Sequence, residues 1–350
     1  MKLTNNNNIS LSVAVWLGSD SYDHNNDPNH ISATGLLKSV KQIILTSRMD
    51  NKDIEFDIAD QIPSSMGTAL HEGIERAWMQ TNGFANALHK MGYASKLIDR
   101  IKLNPTKDQM TLWKENGFKV IPVYMEQRST KEISGRTVSG KYDFVGEGTL
   151  EDFKSCGTFK YTKMLKELES PSGTDGLSGS DTEKTFQLQG SIYKWLNPEI
   201  ITSDYMIIQF IFTDWSKLQS MVQEKNGYPA ARVQAHKIPL MSPEWTENWI
   251  KTKLALIDSL QDAEQDQIPE CTNEELWRGK SVFAYYKNPE GKRATKNYDE
   301  YHNAHAHYIK DGSIGVINER KAQVKRCLYC DAFDLCEQKN TYLLDGSLVV

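Results

Sequence analysis

The chain has 350 residues, 39% of them hydrophobic and 25% charged, with a formal net charge of -5. That length allows a sizeable core in one large domain or two modest ones, and that composition excludes disorder for most of the chain. The charge excludes a uniformly basic nucleic-acid coat, so any role on DNA must rest on a local site.

No stretch approaches the ~20 consecutive apolar residues of a membrane span. The opening MKLTNNNNISLSVAVWLGSD has an asparagine run and lacks the small-residue cleavage site of a signal peptide. A cytoplasmic protein with no membrane partner is expected. In ISATGLLKSVKQIILTSR, Leu36, Leu37, Val40, Ile43 and Ile44 recur at helical spacing and predict one short amphipathic helix. Pro63 and Ser64-Ser65 then punctuate the chain, and MGTALHEGIERAW sets Leu70, Ile74 and Trp78 on one helical stripe with His71 beside it.

A further helical region runs to about Glu115, Asn116-Gly117 breaks it, and Phe118 to Met125 reads as a strand that Glu126 ends. From Val138 to Val145 a Tyr142 and Phe144 face alternates with a Lys141, Asp143 and Val145 face, as in a strand. Gly146 and Gly148 permit a reversal, and Leu150 to Ser155 returns with Leu150, Asp152 and Lys154 on one side. In a favourable register Asp143, Asp152 and Lys154 converge while Phe153 turns to the opposite face.

SPSGTDGLSGS is a flexible loop, and Ser180-x-x-Glu183 matches a capping box that opens a helix through Trp195, with Gln189 and Tyr193 on one face. DYMIIQFIFTDW follows as a buried strand, and Pro243 to about Leu260 forms an amphipathic helix. The remainder reads as an irregular tail bearing cysteines. Gly135-x-x-x-x-Gly140-Lys141 nearly spells a phosphate-binding loop, but Tyr142 stands where Ser or Thr is needed and a strand follows where a helix should start.

Two carboxylates and a lysine suit hydrolytic metal chemistry. A hard cation such as Mg²⁺ takes carboxylate oxygens, polarises a phosphoryl oxygen and lowers the pKa of a bound water, while a lysine offsets charge developing in the transition state. A solvated strand pair with a weak acid-lysine contact is the plain alternative. Glu126, at the end of the preceding strand, is either an outer or second-metal carboxylate or a salt-bridged strand end, and ranks below the others.

Of the five cysteines, Cys327, Cys330 and Cys336 lie in one compact segment and Cys271 precedes them as a fourth thiolate, a set that suits an iron-sulfur cluster or zinc in a reducing compartment. Cys156 reads as a structural thiol. His302, His305 and His307 cannot all share one helix or strand face and are assigned to surface or packing.

In order, the chain presents Gly67-x-x-x-His71, Gly140-x-x-Asp143, Asp152-x-Lys154 and Gln189-x-x-x-Tyr193. This order resembles the PD-(D/E)XK nuclease superfamily, specifically its RecB-like exonuclease branch, over about half the chain. The resemblance implies a metal-dependent deoxyribonuclease in which His71, Asp143 and Asp152 hold Mg²⁺ or Mn²⁺, the Phe153 carbonyl adds a ligand, Lys154 assists the water, and Gln189 and Tyr193 contact or position DNA.

RecB-like relatives, including the CRISPR-associated exonucleases, commonly carry a 4Fe-4S cluster on one distant and three C-terminal cysteines. Here Cys327, Cys330 and Cys336 look like that trio and Cys271 like the distant one, although it follows the nuclease motifs instead of preceding them. Zinc stays open. The implied fold is α/β, a PD-(D/E)XK restriction-endonuclease-like core with a central mixed sheet flanked by helices and a cysteine-stapled C-terminal segment. The expected divisions are an N-terminal segment 1–62, a nuclease core 63–262 and a cluster segment 263–350. The implied partner is DNA, single-stranded or duplex ends, in phage or bacterial recombination, replication or repair, with a homo-oligomer or a recombination or replication protein as further partners. A structure-selective endonuclease using the same residues, or a non-catalytic DNA-end or single-strand binding module with Trp195 or Tyr193 stacking on bases, remain as alternatives.

Overall fold

Period-two alternation sets the centre of the molecule: along Tyr205–Phe212 every second side chain, Met206, Ile208, Phe210 and Phe212, is buried. The computed structural model describes residues 2–19, 27–49, 55–168, 177–223 and 227–350. They cluster into two compact units, Met1–Leu37 with Asp50–Leu254, and Lys38–Met49 with Ala255–Val350. In chain order the first unit carries β1 (Lys2–Thr4), α1 (Leu11–Gly18), β2 (His30–Ser32) and α2 (Ala33–Leu36), and α3 (Val40–Ser47) belongs to the second. The first unit resumes with β3 (Glu55–Asp57), α4 (Ile62–Met79), α5 (Gly83–Lys90), α6 (Ser95–Ile98), β4 (Ile101–Leu103), α7 (Lys107–Glu115), β5 (Ile121–Ile133), β6 (Arg136–Gly146) and β7 (Thr149–Cys156). It continues through α8 (Thr158–Glu167), α9 (Asp181–Leu196), β8 (Tyr205–Phe212), α10 (Lys217–Val222) and β9 (Val233–Pro239). The chain passes into the second unit within α11 (Pro243–Ser259), and that unit adds β10 (Val282–Tyr286), β11 (Lys296–Tyr298), α12 (Tyr301–Lys310), β12 (Val316–Arg320) and α13 (Gln338–Leu344).

The first unit is α/β. Its large mixed sheet has the order β4-β5-β6-β7-β8-β9, with β2 added beside β6. β5, β6 and β7 run antiparallel, whereas β7 and β8 are parallel and joined by the crossover that contains α8 and α9. On one face Val123, Met125 and Phe144 form a cluster with Phe153, Ile101 and Leu103, covered by Ile74 and Trp78 of α4. Burying each such large apolar side chain contributes about 1.5–3 kcal/mol. The other face carries Phe210, which meets Phe186 of α9 and Tyr161 of α8 edge-on.

Glycine sets how closely α9 approaches. A Cβ on Gly140 would stand 2.8 Å from two ring carbons of Tyr193 and 2.9 Å from Leu196 Cδ1. Gly140→Ala is therefore expected to overpack this contact and cost about 1–3 kcal/mol. Urea unfolding measures it, and a wild-type midpoint would mean that α9 is not seated on β6.

Several expectations need correcting. The helix expected across residues 31–48 is two helices, because Ser39 leaves the helical conformation and its side chain caps α3 by accepting the Gln42 N–H. Pro63 does not punctuate the chain: it lies in the first turn of α4, where its missing N–H costs nothing. Glu126 does not end β5, which continues to Ile133 through a kink. Ser180 caps α9 by accepting the Glu183 N–H, but the Glu183 carboxylate accepts from Ser178 Oγ, so only half of the capping box forms. Most of the SPSGTDGLSGS loop lies outside the described residues. The C-terminal tail is not irregular throughout, since β11, β10 and β12 form a small antiparallel sheet. Ring contacts from α12 cover one side of it, from Tyr301 to Phe283 and from His307 to Tyr285. Among the described residues no helix is long and apolar enough to cross a membrane.

Candidate metal centre

The site begins in a turn. Glu147 and Gly148 both have positive φ, 47° and 83°, and close a two-residue hairpin between the paired residues Gly146 and Thr149. Such a turn fixes register, here Val145 with Leu150 and Phe144 with Glu151. Continued by one residue, that register sets Asp143 opposite Asp152, on the face away from Phe144 and Phe153.

The β6-β7 ladder stops there. The same edge of β6 is taken by β2 at Thr137 to Ser139 and by β7 at Phe144 to Gly146, and residues 140–143 have, among the described residues, no strand partner on that side. β7 instead continues in register with β8. In place of a ladder bond, Asp143 Oδ2 accepts the Phe153 N–H at 2.9 Å. The two acids sit where the strands part.

Opposite, β5 kinks. Met125 pairs with Phe144 and Gln127 with Tyr142, but the intervening Glu126 and Asp143 do not pair, and Glu126 has φ 51°. A non-glycine residue held in the left-handed region costs about 1–3 kcal/mol and persists only where its surroundings demand it. Here the kink turns the Glu126 carboxylate toward Asp143 and His71. Asn104 supports it, its Oδ1 accepting the Met125 N–H at 2.8 Å.

Helix α4 supplies His71 from one turn before the Ile74 that packs on the sheet. His71 Nε2 lies 3.0 Å from the Phe153 carbonyl oxygen. A carbonyl can only accept, so Nε2 carries the proton and Nδ1 faces the two carboxylates, 3.3 Å from Asp143 Oδ1 and 3.9 Å from Glu126 Oε1. An unprotonated Nδ1 would set a lone pair against negative oxygens, so the position calls for a proton or a metal ion. The hydrogen bond to Asp143 accordingly raises the His71 pKa, against the opposing effect of burial. Burial raises Glu126 despite the Lys141 ammonium 2.5 Å from its Oε2.

Ligand atoms of His71, Glu126 and Asp143 all lie within 4.8 Å of one another. Asp152 is not in that trio. It is almost wholly buried, burial pushes its carboxyl up to about 6, and its Oδ2 sits 2.6 Å from Lys154 Nζ in an ion pair. Burial alone would lower Lys154, but Asp152 and Asp143 together hold it above the usual lysine range. Three carboxylates therefore face two lysines and one imidazole.

The structure thus brings His71, Asp143, Asp152, Lys154 and the Phe153 carbonyl into one patch and adds Glu126, which sequence reasoning ranked below them. No periodic signal marks Glu126, because its role depends on a backbone kink inside a strand. Gln189 and Tyr193 are buried in α9, where Gln189 Nε2 donates to the Tyr193 hydroxyl at 2.9 Å and Tyr193 backs Gly140. Cys156, at the end of β7, is a half-buried thiol raised by that burial.

In the second unit Cys271, Cys327, Cys330 and Cys336 are free and partly buried. Cys271 and Cys327 pack against the Leu276, Val324, Tyr342 and Leu348 core, and burial, reinforced by the neighbouring thiols, pushes both up to about 11. Cys330 caps the short 3-10 turn holding Cys327, whose carbonyl accepts its N–H at 3.2 Å. The α12 histidines are packing and surface groups: His307 Nδ1 lies 2.6 Å from the Tyr298 hydroxyl, His305 stacks between Tyr301 and Tyr308, and His302 is exposed.

Fold and site together define an α/β protein with a histidine-carboxylate-lysine centre on a split sheet edge. No protein-family profile matches this chain, and no curated protein does. Among solved structures it is similar to SSO0001, at 14% identity over 68% of this chain and 80% of that one, with a TM-score of 0.34. It is also similar to a phage-related exonuclease from Haemophilus somnus 129PT, at 12% identity over 63% of this chain and 95% of that one, with a TM-score of 0.24.

Proposed function

We propose that this protein is a divalent-metal-dependent deoxyribonuclease of the PD-(D/E)XK, RecB-like kind, an exonuclease acting on single strands or DNA ends. One observation carries the reading: His71, Glu126 and Asp143 hold one nitrogen and two carboxylates within 4.8 Å of each other, beside the Asp152-Lys154 pair. The carboxylate oxygens suit Mn²⁺ and Mg²⁺, and the crowding of Nδ1 against two carboxylates fits a cation at that point. Bound there, the ion would supply Lewis-acid polarisation of a phosphoryl oxygen.

The chain's own groups do the rest. Asp143 is fixed by the Phe153 N–H, and His71 by the Phe153 carbonyl, so neither has to be ordered when a ligand arrives. Asp152 reaches the centre by exchanging its ion pair with Lys154 for the cation. Lys154 is then free to orient water and to offset charge on the phosphate. Water adds to phosphorus, its proton passes to a base within this carboxylate group, and the bond from phosphorus to the sugar oxygen breaks, the leaving oxygen taking a proton from solvent to end as a hydroxyl. Gln189 and Tyr193 act by seating α9 against Gly140, three residues before Asp143.

The test is cleavage of end-labelled linear and closed circular DNA, single- and double-stranded, with Mg²⁺ or Mn²⁺ and with EDTA. Loss of linear substrate only, and only with metal, is expected. Cutting of circles would assign an endonuclease, and no cleavage with either metal would overturn the reading.

For the second unit we propose that Cys271, Cys327, Cys330 and Cys336 hold an iron-sulfur cluster. Four half-buried free thiols suit a group that binds them as thiolates and displaces their protons. Anaerobically purified protein is expected to be brown and to contain iron, and a colourless preparation containing zinc would reverse the assignment.

A further inference from the structure

The nuclease reading leaves one aromatic feature of the second unit unused. Trp277 and Tyr329 are 55% and 65% exposed, with Leu328 beside them at 50%. Their ring centroids lie 6.0 Å apart at 41°, and the Arg326 guanidinium stands 5.1 Å from the Trp277 ring. Trp277 has φ 51°, an outlier for a bulky residue, which the Trp277 N–H to Glu274 and Arg278 N–H to Asn273 bonds hold in place. The strain is spent on facing an indole toward water.

Two basic segments meet at this pair, bordered by Glu274, Glu275, Glu319 and Asp331. Residues 277–281 carry Arg278 and Lys280, residues 320–330 carry Arg320, Lys321, Lys325 and Arg326, and neither segment has an acid, in a chain whose net charge is -5. The segments lie side by side: Lys325 and Arg326 N–H both donate to the Leu276 carbonyl, and Ala322 N–H donates to Ser281 Oγ. Asp345 faces Arg278 at 3.7 Å. Lys280 and Lys325 remain exposed.

We propose that Trp277 and Tyr329 form a stacking platform for single-stranded nucleic acid, with Arg326, Lys280, Lys321 and Lys325 on the phosphates. Two exposed rings, one with a guanidinium against it and exposed Lys280 and Lys325 on the same two segments, match a polyanion that offers flat faces, as an unpaired strand does. As a hold on the substrate strand, the platform rests on the nuclease reading. As a binding site it does not.

The experiment is fluorescence anisotropy of a labelled oligothymidylate of about 20 nucleotides with the full chain in EDTA. Trp277→Ala with Tyr329→Ala is expected to weaken binding about tenfold or more, and Trp277→Phe to keep most of it. Lys280→Ala with Lys325→Ala, at surface positions that spare the fold, is expected to reduce the salt-dependence slope by about 1.4. Failure of the wild type to bind the single strand, equal binding of duplex, or unchanged affinity and slope in the variants would overturn the platform. Binding in EDTA without cleavage once metal is restored would count against the nuclease reading and leave the platform standing.

Discussion

Asp143→Asn is expected to lower metal-supported cleavage by on the order of 10³-fold or more while leaving the fold in place. Asparagine keeps the size of the side chain and an oxygen that can still accept the Phe153 N–H, so the parting of β6 and β7 survives. What is lost is the charge. Asp143 is the one carboxylate that touches both His71, at 3.3 Å, and the Phe153 backbone, at 2.9 Å, and it also raises the Asp152 carboxyl. An amide there withdraws a ligand and leaves Glu126 the only carboxylate in the three-donor group. Single-turnover cleavage measures the effect, and a rate within about tenfold of wild type would remove Asp143 from the reaction.

Lys154→Met separates stability from chemistry. It leaves Asp152 buried without its counter-ion, and breaking such a pair costs about 3–5 kcal/mol. The deficit depends on pH with a fixed sign. Asp152 already titrates higher in the folded protein, at about 6, than an unfolded aspartate at ~3.9, and removing Lys154 drives it higher still. The folded state then holds a proton that the unfolded state releases, so stability is greatest at low pH and is lost as pH rises through the folded value. Urea unfolding should show a small deficit near pH 5 and the full one near pH 8. Asp152→Asn combined with Lys154→Met should regain most of the stability and none of the cleavage. A flat pH dependence would mean that Asp152 is not buried as described.

The hairpin acids were legible because a strand has period two and a Glu-Gly turn fixes register: once Tyr142 and Phe144 are assigned to the core, Asp143 can only face the other way. The helical stripe of Leu70, Ile74 and Trp78 placed His71 beside it without saying what it met, and its part at the metal came from the resemblance carried by Gly67-x-x-x-His71. Glu126 ranked low for a physical reason. A charged residue after an apolar strand reads as a strand end, whereas here the strand continues through a left-handed residue whose cost the surrounding sheet absorbs. The pairing of His30–Ser32 with Thr137–Ser139 joins segments more than a hundred residues apart through three residues, too few to leave a pattern. β11 and β12 were missed because strands of three and five residues carrying Lys, Asn, Glu and Arg do not alternate cleanly, and β10, VFAYY, is an apolar run too short for its periodicity to tell strand from helix.

The central claim is that His71, Glu126 and Asp143 form a metal centre, and an electron paramagnetic resonance titration of Mn²⁺ into the metal-free protein tests it most directly. Wild type is expected to deplete the free-ion signal by at least one equivalent, and Asp143→Asn and Glu126→Gln to leave it at the level of buffer. A wild-type signal that follows buffer, or variants that bind Mn²⁺ as tightly as wild type, would contradict the account.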